Sequence, residues 1–307
     1  MKYIIFFGKA FFLKERFVMR PKQALNGVLK ETELKKVIKS YDVVGDIVII
    51  KIHPELEPKM ENIAEALRKI YPRVKTIAAV PLYAHTDELY RTRDLEVIWG
   101  DEHMETTHKE NGCFFMVNPK HVFFSPRLSY ERMRVAKKVL PCETIINMFS
   151  GVGCFSIVIA KMQPQTKIYS IDVNPYAFEY MKENVALNKV EGKVIPILGD
   201  VKAELKKLEG VADRVLMPLP EEAHSVLPFA VKALNLDKEG ARGVIHYYDV
   251  AVGRKDDDLF NVSFERASDI ISSAFGDILR VEIEEKRIVR SVAPRKYHVV
   301  LDLRVVR

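Results

Sequence analysis

ETIINMFSGVGCFSIVIAKM, residues 143–162, is the stretch on which the fold turns. ETIINMF (143–149) is a β-branched apolar run that reads as a buried strand, and GVGCFSIVIAKM (151–162) turns into a helix. Between them Gly151 and Gly153 let the chain reverse tightly and bring backbone close to a ligand at the strand's carboxyl end. Towards the carboxyl terminus the same rhythm repeats. KIYSID (167–172), KVIPILGD (193–200), DRVLMPL (213–219) and GVIHYYDV (243–250) read as strands, with helices over NPYAFEYMKENVALN and at about 221–235 and 257–275. Strands alternating with helices predict a parallel α/β sheet. The chain closes with RVEIEEKRIVRSV and YHVVLDLRVV, whose period of two predicts an antiparallel pair. The expected fold class is α/β and Rossmann-like, a mostly parallel sheet with an antiparallel last strand.

Towards the amino terminus the pattern changes. Residues 125–307 form the α/β domain, and 33–124 read as a smaller α+β domain. The latter has a strand at 46–52 (DIVIIKI), a helix at 59–70, a strand at 76–80 and the short β-rich runs LEVIWGDE and NGCFFMVNPKHVFF. Residues 1–32 are a short basic segment. Ten Lys/Arg and three Asp/Glu fall within the first 40 residues, whereas all 307 residues carry a net charge of only +6. A basic appendage on a near-neutral body suits a polyanionic partner.

MKYIIFFGKAFFLKERF is interrupted by Lys9, Lys14, Glu15 and Arg16, so it reads as a strand or hairpin rather than a signal peptide. No apolar run approaches the roughly 20 residues of a membrane span. Cys113, Cys142 and Cys154 show no paired spacing, which suits a reducing, cytoplasmic setting. HMETTH (103–108) lacks the order of a zinc helix and reads as a loop; no metal is expected.

Acidic residues give the glycine turn its chemistry. Asp172 ends the second strand about twenty residues on, where a carboxylate can accept from both hydroxyls of a ribose. FSGVG has no third glycine to seat a pyrophosphate and no Lys-Ser/Thr of a P-loop. A ribose-binding carboxylate without a pyrophosphate cradle favours S-adenosylmethionine over NAD. Asp200, ending the third strand, is then the expected acceptor for the adenine amino group. Upstream, SPRLSYER (125–132) reads as a helix start, with Ser125 as cap and Pro126 in the first turn. Arg127 and Glu131 are four apart and share a helix face. Alone, that pair reads as a surface salt bridge of little worth.

Together, FSPRLSYER, INMFSGVGCFS, IDVNPYAFEYMKENVALNKV, DRVLMPLP, GVIHYY and SVAPRKY resemble the archaeal and eukaryotic tRNA (guanine-37)-N1-methyltransferases, in family order from about residue 40 onward. The resemblance implies a class I methyltransferase fold, S-adenosylmethionine, and a tRNA partner modified at position 37 of the anticodon loop, by a monomer without metal or membrane. It implies that Glu131 is the general base taking the guanine N1 proton as the methyl arrives. Arg127 would orient Glu131 and offset charge developing on O6, and Arg132 would lie towards the cofactor. Phe149, Val173, Val201 and Pro218 would join Gly151, Gly153, Asp172 and Asp200 around the cofactor. Arg91, Arg93, Pro220 and Arg295 would join Arg127 around the substrate.

Three departures from the family pattern stand out. The first strand ends INMF where relatives commonly carry an aspartate, so Asn147 is expected to sit behind the residues that touch ligand. The amino-terminal domain of relatives has about seventy residues, whereas little over thirty precede the second module here. Most relatives have Asn-Leu-Pro at the fourth strand end, where this chain has Pro218-Leu219-Pro220. Proline cannot donate a hydrogen bond and offers an apolar wall. Archaeal subfamilies with that substitution resemble bifunctional enzymes that also methylate C7 of 4-demethylwyosine, giving isowyosine. Two competing expectations are an aminocarboxypropyl transferase of wybutosine synthesis, sharing the fold and an HVVLDLRV-like ending, and a non-catalytic tRNA-binding protein.

Overall fold

The computed structural model describes residues 24–38, 41–81, 87, 89–254 and 258–307. The opening apolar stretch and most of the basic segment fall outside them. A short helix α1 (Glu31–Leu34) leads into the hairpin β1 (Tyr41–Val44) and β2 (Ile47–Ile52). Its turn requires Gly45, at φ +55, where any Cβ would strike the Thr106 side chain. A 3-10 turn, Pro54–Lys59, and helix α2 (Met60–Ile70) carry the chain to β3 (Thr76–Pro81), parallel to β2. β4 (Glu96–Gly100) then pairs antiparallel with β3. Apolar spacing puts Ile63, Ala64 and Leu67 of α2 on one face, packed on Val48, Ile50 and Ile52 of the sheet.

β5 (Thr106–Glu110) and β6 (Cys113–Val117) form a separate hairpin. The HMETTH stretch is therefore a loop only in its first half; Thr106, Thr107 and His108 pair with Val117, Met116 and Phe115. A 3-10 turn, Pro126–Leu128, precedes helix α3 (Ser129–Lys138). Ser125 does not cap it through its side chain. Its carbonyl accepts from the Leu128 amide instead.

From there strands and helices alternate: β7 (Thr144–Asn147), α4 (Cys154–Met162), β8 (Lys167–Asp172), α5 (Pro175–Leu187), β9 (Val194–Leu198), α6 (Val201–Leu205), β10 (Arg214–Met217), α7 (Ala223–Ala233), β11 (Arg242–Val252) and α8 (Asn261–Phe275). The long hairpin β12 (Arg280–Ala293) and β13 (Lys296–Val306) ends the chain. The sheet order is β12-β13-β11-β10-β7-β8-β9. β11, β10, β7, β8 and β9 run parallel, and β13 is antiparallel to both β11 and β12. This is the architecture expected from the sequence.

Helix α4 is apolar nearly all round and accordingly buried from Cys154 to Ala160. Asn174 caps α5 by accepting from the Tyr176 and Ala177 amides, with Pro175 in the first turn.

Although the sequence groups the β5–β6 hairpin with the first domain, its Cys113, Phe115 and Val117 share a core with Val135, Ile145 and Val158. Asn184 of α5 and Asn188, the residue that ends that helix, bind the hairpin's free edge. Asn184 bonds both the amide and the carbonyl of Met116, and Asn188 those of Phe114, at 2.6–3.0 Å. The hairpin also reaches the first domain. The Thr106 hydroxyl bonds the Asp46 carboxylate at 2.6 Å, and the Gly45 amide donates to His108 Nδ1 at 3.2 Å.

Candidate active site

The chain passes from β7 to β8 on one side and returns to β10 on the other, so adjacent strand ends diverge over a crevice. A cleft of about 510 Å³ lies there. That is within the range of roughly 300–1,000 Å³ that holds a small ligand. Asp172 lines it from the end of β8. Its Oδ2 accepts from the Gly151 amide at 2.6 Å and its Oδ1 from the Asn174 amide at 2.9 Å. Burial raises its carboxyl above the ordinary range against the pull of the Asn174, Gly151 and Val173 amides. The two carboxylate oxygens offer about four lone pairs between them, so these three amides leave room for a further donor. Gly151 turns at φ +54, and a Cβ there would touch only the Phe123 carbonyl, at 3.8 Å.

Phe149, Val173, Val201 and Pro218 supply apolar wall. Asp200 also lines the cleft, but its Oδ1 caps α6 by accepting from the Lys202 and Ala203 amides at 3.0 and 3.1 Å. Its Oδ2 takes no part in that cap. One strand-end carboxylate, an apolar slot and a glycine turn fit S-adenosylmethionine. Asp172→Ala should weaken binding of that cofactor by at least about 1.5–3 kcal/mol, the worth of a charge-assisted hydrogen bond. Unchanged affinity by calorimetry removes Asp172 from the site.

Several expected site residues lie elsewhere. Gly153 does not line the cleft; at φ +87 it starts α4, and a Cβ there would press on Met181 and Ile157 at 3.0 and 3.1 Å. Asn147 is fully buried, donating to the Ser156 hydroxyl. Arg132 is also buried and does not line the cofactor cleft. It bonds Glu110 at 2.6 Å and the Ser125 carbonyl at 3.1 Å, joining α3 to β5. Arg295 sits exposed in the turn between β12 and β13, outside the cleft.

Arg127 does not meet Glu131. It bonds Asp42 Oδ1 at 2.7 Å and the Tyr41 carbonyl at 3.2 Å. Arg127 belongs to the 3-10 turn, with three residues per turn, so a spacing of four across the junction no longer stacks the side chains.

Glu131 is only 2% exposed and does not line the cleft. Arg134 grips it through Nε and Nη2, at 2.7–3.1 Å, and the Tyr248 hydroxyl donates to its Oε1 at 2.8 Å. Tyr248, from β11, does line the cleft and stands between Glu131 and the ligand space. Behind Glu131 a chain of buried charges crosses the sheet. Arg134 bonds Asp302 at 2.7 and 3.1 Å; Asp302 meets Lys138 at 2.8 Å and His246 Nδ1 at 2.6 Å; His246 Nε2 meets Arg214 at 2.8 Å.

Arg91, Arg93 and Pro220 line the cleft as expected. Sequence reasoning missed Tyr248, Arg290 and His298. Tyr248 had a signal, a polar aromatic near the end of the fifth strand. Arg290 and His298 had none beyond strand alternation, because they face each other only through the β12–β13 register.

A parallel sheet that reverses beside a strand-end carboxylate is the framework of the class I S-adenosylmethionine-dependent methyltransferases. Within that class the chain belongs to the TRM5/TYW2 family. The family's methyltransferase-domain model matches residues 106–284, and a TYW2 N-terminal domain model matches 22–103.

The chain is 37% identical to the tRNA (guanine(37)-N(1))-methyltransferase Trm5b of Pyrococcus abyssi, over 95% of this chain and 82% of that one. It is 38% identical to the tRNA 4-demethylwyosine(37)-methyltransferase Taw21 of Saccharolobus solfataricus, over 87% and 94%. It is also 32% identical to the tRNA(Phe) (4-demethylwyosine(37)-C(7)) aminocarboxypropyltransferase of Pyrococcus horikoshii, over 93% and 96%. Among solved structures, a complex of aTrm5 with tRNALeu superposes with a TM-score of 0.77 at 37% identity, covering 94% of this chain and 78% of that one. M. jannaschii TYW2 in complex with AdoMet gives 0.65 at 27% identity, covering 87% and 100%. Among the described residues, no helix is long and apolar enough to cross a membrane.

Proposed function

We propose that this chain methylates the nucleotide at position 37 of tRNA, at N1 of guanosine and at C7 of 4-demethylwyosine. The observation that carries the reading is a single cleft lined by Asp172 and Gly151 together with the Pro218-Leu219-Pro220 wall and Tyr248. S-adenosylmethionine, when bound, supplies an electrophilic methyl group. The chain supplies the rest. Asp172 accepts hydrogen bonds from the ribose, and Arg91 and Arg93 hold the target nucleotide. As N1 of guanine bonds the methyl carbon and the carbon–sulfur bond breaks, the N1 proton leaves to the Tyr248 oxygen. The Tyr248 proton passes to Glu131 Oε1, so Glu131 acts as base through one hydroxyl. The reading places the protein in the cytoplasm, in keeping with cysteines that carry no disulfide.

Pro218 tests the second activity. Pro218→Asn restores an amide facing the base, which the tricyclic ring of 4-demethylwyosine leaves unmet. The activity ratio on matched tRNAs should shift towards guanosine by about tenfold to a hundredfold, the cost of an unsatisfied buried amide. Wild type inactive on the 4-demethylwyosine tRNA overturns the bifunctional reading.

One observation favours aminocarboxypropyl transfer: the amino-terminal residues match a TYW2 domain model. The by-product decides, being S-adenosylhomocysteine for methyl transfer and methylthioadenosine for the other.

A further inference from the structure

A second cleft, of about 610 Å³, opens between the first domain and the β12–β13 hairpin. It is continuous with the cofactor cleft, sharing Arg91, Arg93, Arg290 and His298. Six cationic side chains line it: Lys51, Arg91, Arg93, Arg127, Arg290 and Lys296. Its carboxylates are Asp42 and Glu221, and both are engaged, Asp42 by Arg127 at 2.7 Å and Glu221 by His298 at 3.5 Å. Among the described residues, Lys51, Arg93, Arg290 and Lys296 have no carboxylate partner within ion-pair distance. Arg91 Nε is buried with no hydrogen-bond acceptor. Among the described residues, the Arg290 guanidinium donates only to His298 Nδ1, at 3.3 Å. Burial and the neighbouring charges of Arg93 and Arg127 weaken its hold on its proton.

Clustered cations without counter-charge cost stability, and forked guanidinium groups match the oxygens of phosphate. We infer that this cleft is a cradle for the RNA phosphodiester adjoining the nucleotide whose base enters the cofactor cleft. The inference rests on the tRNA reading above and adds where the backbone runs. A nucleotide with its base under Tyr248 has its sugar at the shared mouth, beside Arg91, Arg93 and Arg290. The next phosphate then enters the second cleft.

The test uses the full chain and a synthetic anticodon stem-loop RNA. In one version a single phosphate beside nucleotide 37, on the 5′ or the 3′ side, is replaced by a neutral methylphosphonate. Binding is followed by fluorescence anisotropy across a salt series. For wild type, one of the two neutral linkages should cost about tenfold in affinity and flatten the salt slope by about 0.7, the value for one single-strand phosphate. Arg290→Met should lose a similar amount on the unmodified RNA and lose nothing further with that linkage. Lys51→Met, at an exposed position of β2, repeats the comparison without disturbing buried packing, and thermal unfolding verifies that both variants fold. If the linkage penalty persists undiminished in both variants while wild type binds and methylates the RNA, the cradle is wrong and the tRNA reading stands. If wild type binds no RNA, both fall together.

Discussion

Glu131→Gln should lower the single-turnover rate of methyl transfer by about 10²–10⁴, the worth of general-base catalysis. Affinity for tRNA and cofactor should be nearly unchanged. The amide keeps an oxygen to accept from Arg134 and Tyr248, so the helix packing survives while the proton acceptor is lost. Tyr248→Phe distinguishes the relay from direct contact, because Glu131 reaches the cleft through that hydroxyl. With the relay, Tyr248→Phe falls by a similar factor, and combining both changes adds little, as residues acting as a unit do. If Glu131 instead swings into the cleft, Tyr248→Phe stays within a few-fold of wild type. A wild-type rate in Glu131→Gln itself removes the carboxylate from the reaction.

The second large effect is on stability. Asp302 is fully buried and neutralises Arg134 and Lys138 while accepting from His246. Asp302→Asn removes the fully buried carboxylate that these cations share, leaving Arg134 with Glu131 and Lys138 with the partly exposed Glu285. It should destabilise the fold by about 3 kcal/mol, the lower end of the cost of breaking a buried pair, measured by urea unfolding. A loss below about 1 kcal/mol means that the network relaxes or takes in water. The same groups set the pH response. Burial opposes the charge on Asp302, yet His246 and Arg134 outweigh it and hold the carboxyl far below its ordinary range. Its contribution is therefore complete above the unfolded value near 3.8 and is lost as pH falls below it. Burial likewise keeps His246 neutral, so the unfolded chain takes up a proton below about pH 6.5 that the fold refuses. Both groups make stability fall with acid, His246 beginning near 6.5 and Asp302 near 3.8. Asp302→Asn should flatten the more acidic limb.

What could be read from the sequence follows the range of the interactions involved. The gathering of Asp172, Gly151 and Pro218-Leu219-Pro220 at one cleft was legible because strand ends in a parallel sheet converge whatever the loops do. The Arg127–Glu131 pair was misread because a 3-10 turn and an α-helix look alike in sequence, and only geometry shows that Arg127 turns to Asp42. Arg132 was misread because its partner, Glu110, lies on a hairpin that the sequence assigned to the other domain. Tyr248 faces Glu131 across 117 positions of chain, and no local periodicity encodes such a contact. The same holds for the arginines of the second cleft, which come from three separate segments.

The β5–β6 hairpin is fastened on two sides, to α5 by Asn184 and Asn188 and to the first hairpin by Thr106 and His108. Such a piece works as a rivet. It opposes the swing by which many enzymes close over a substrate, because such a swing has to break these hydrogen bonds on one side or the other. An enzyme made this way measures like a fixed gauge instead of gripping like jaws. More of the motion then falls to the RNA, whose target base leaves its stack and pays that unstacking cost to enter the cleft.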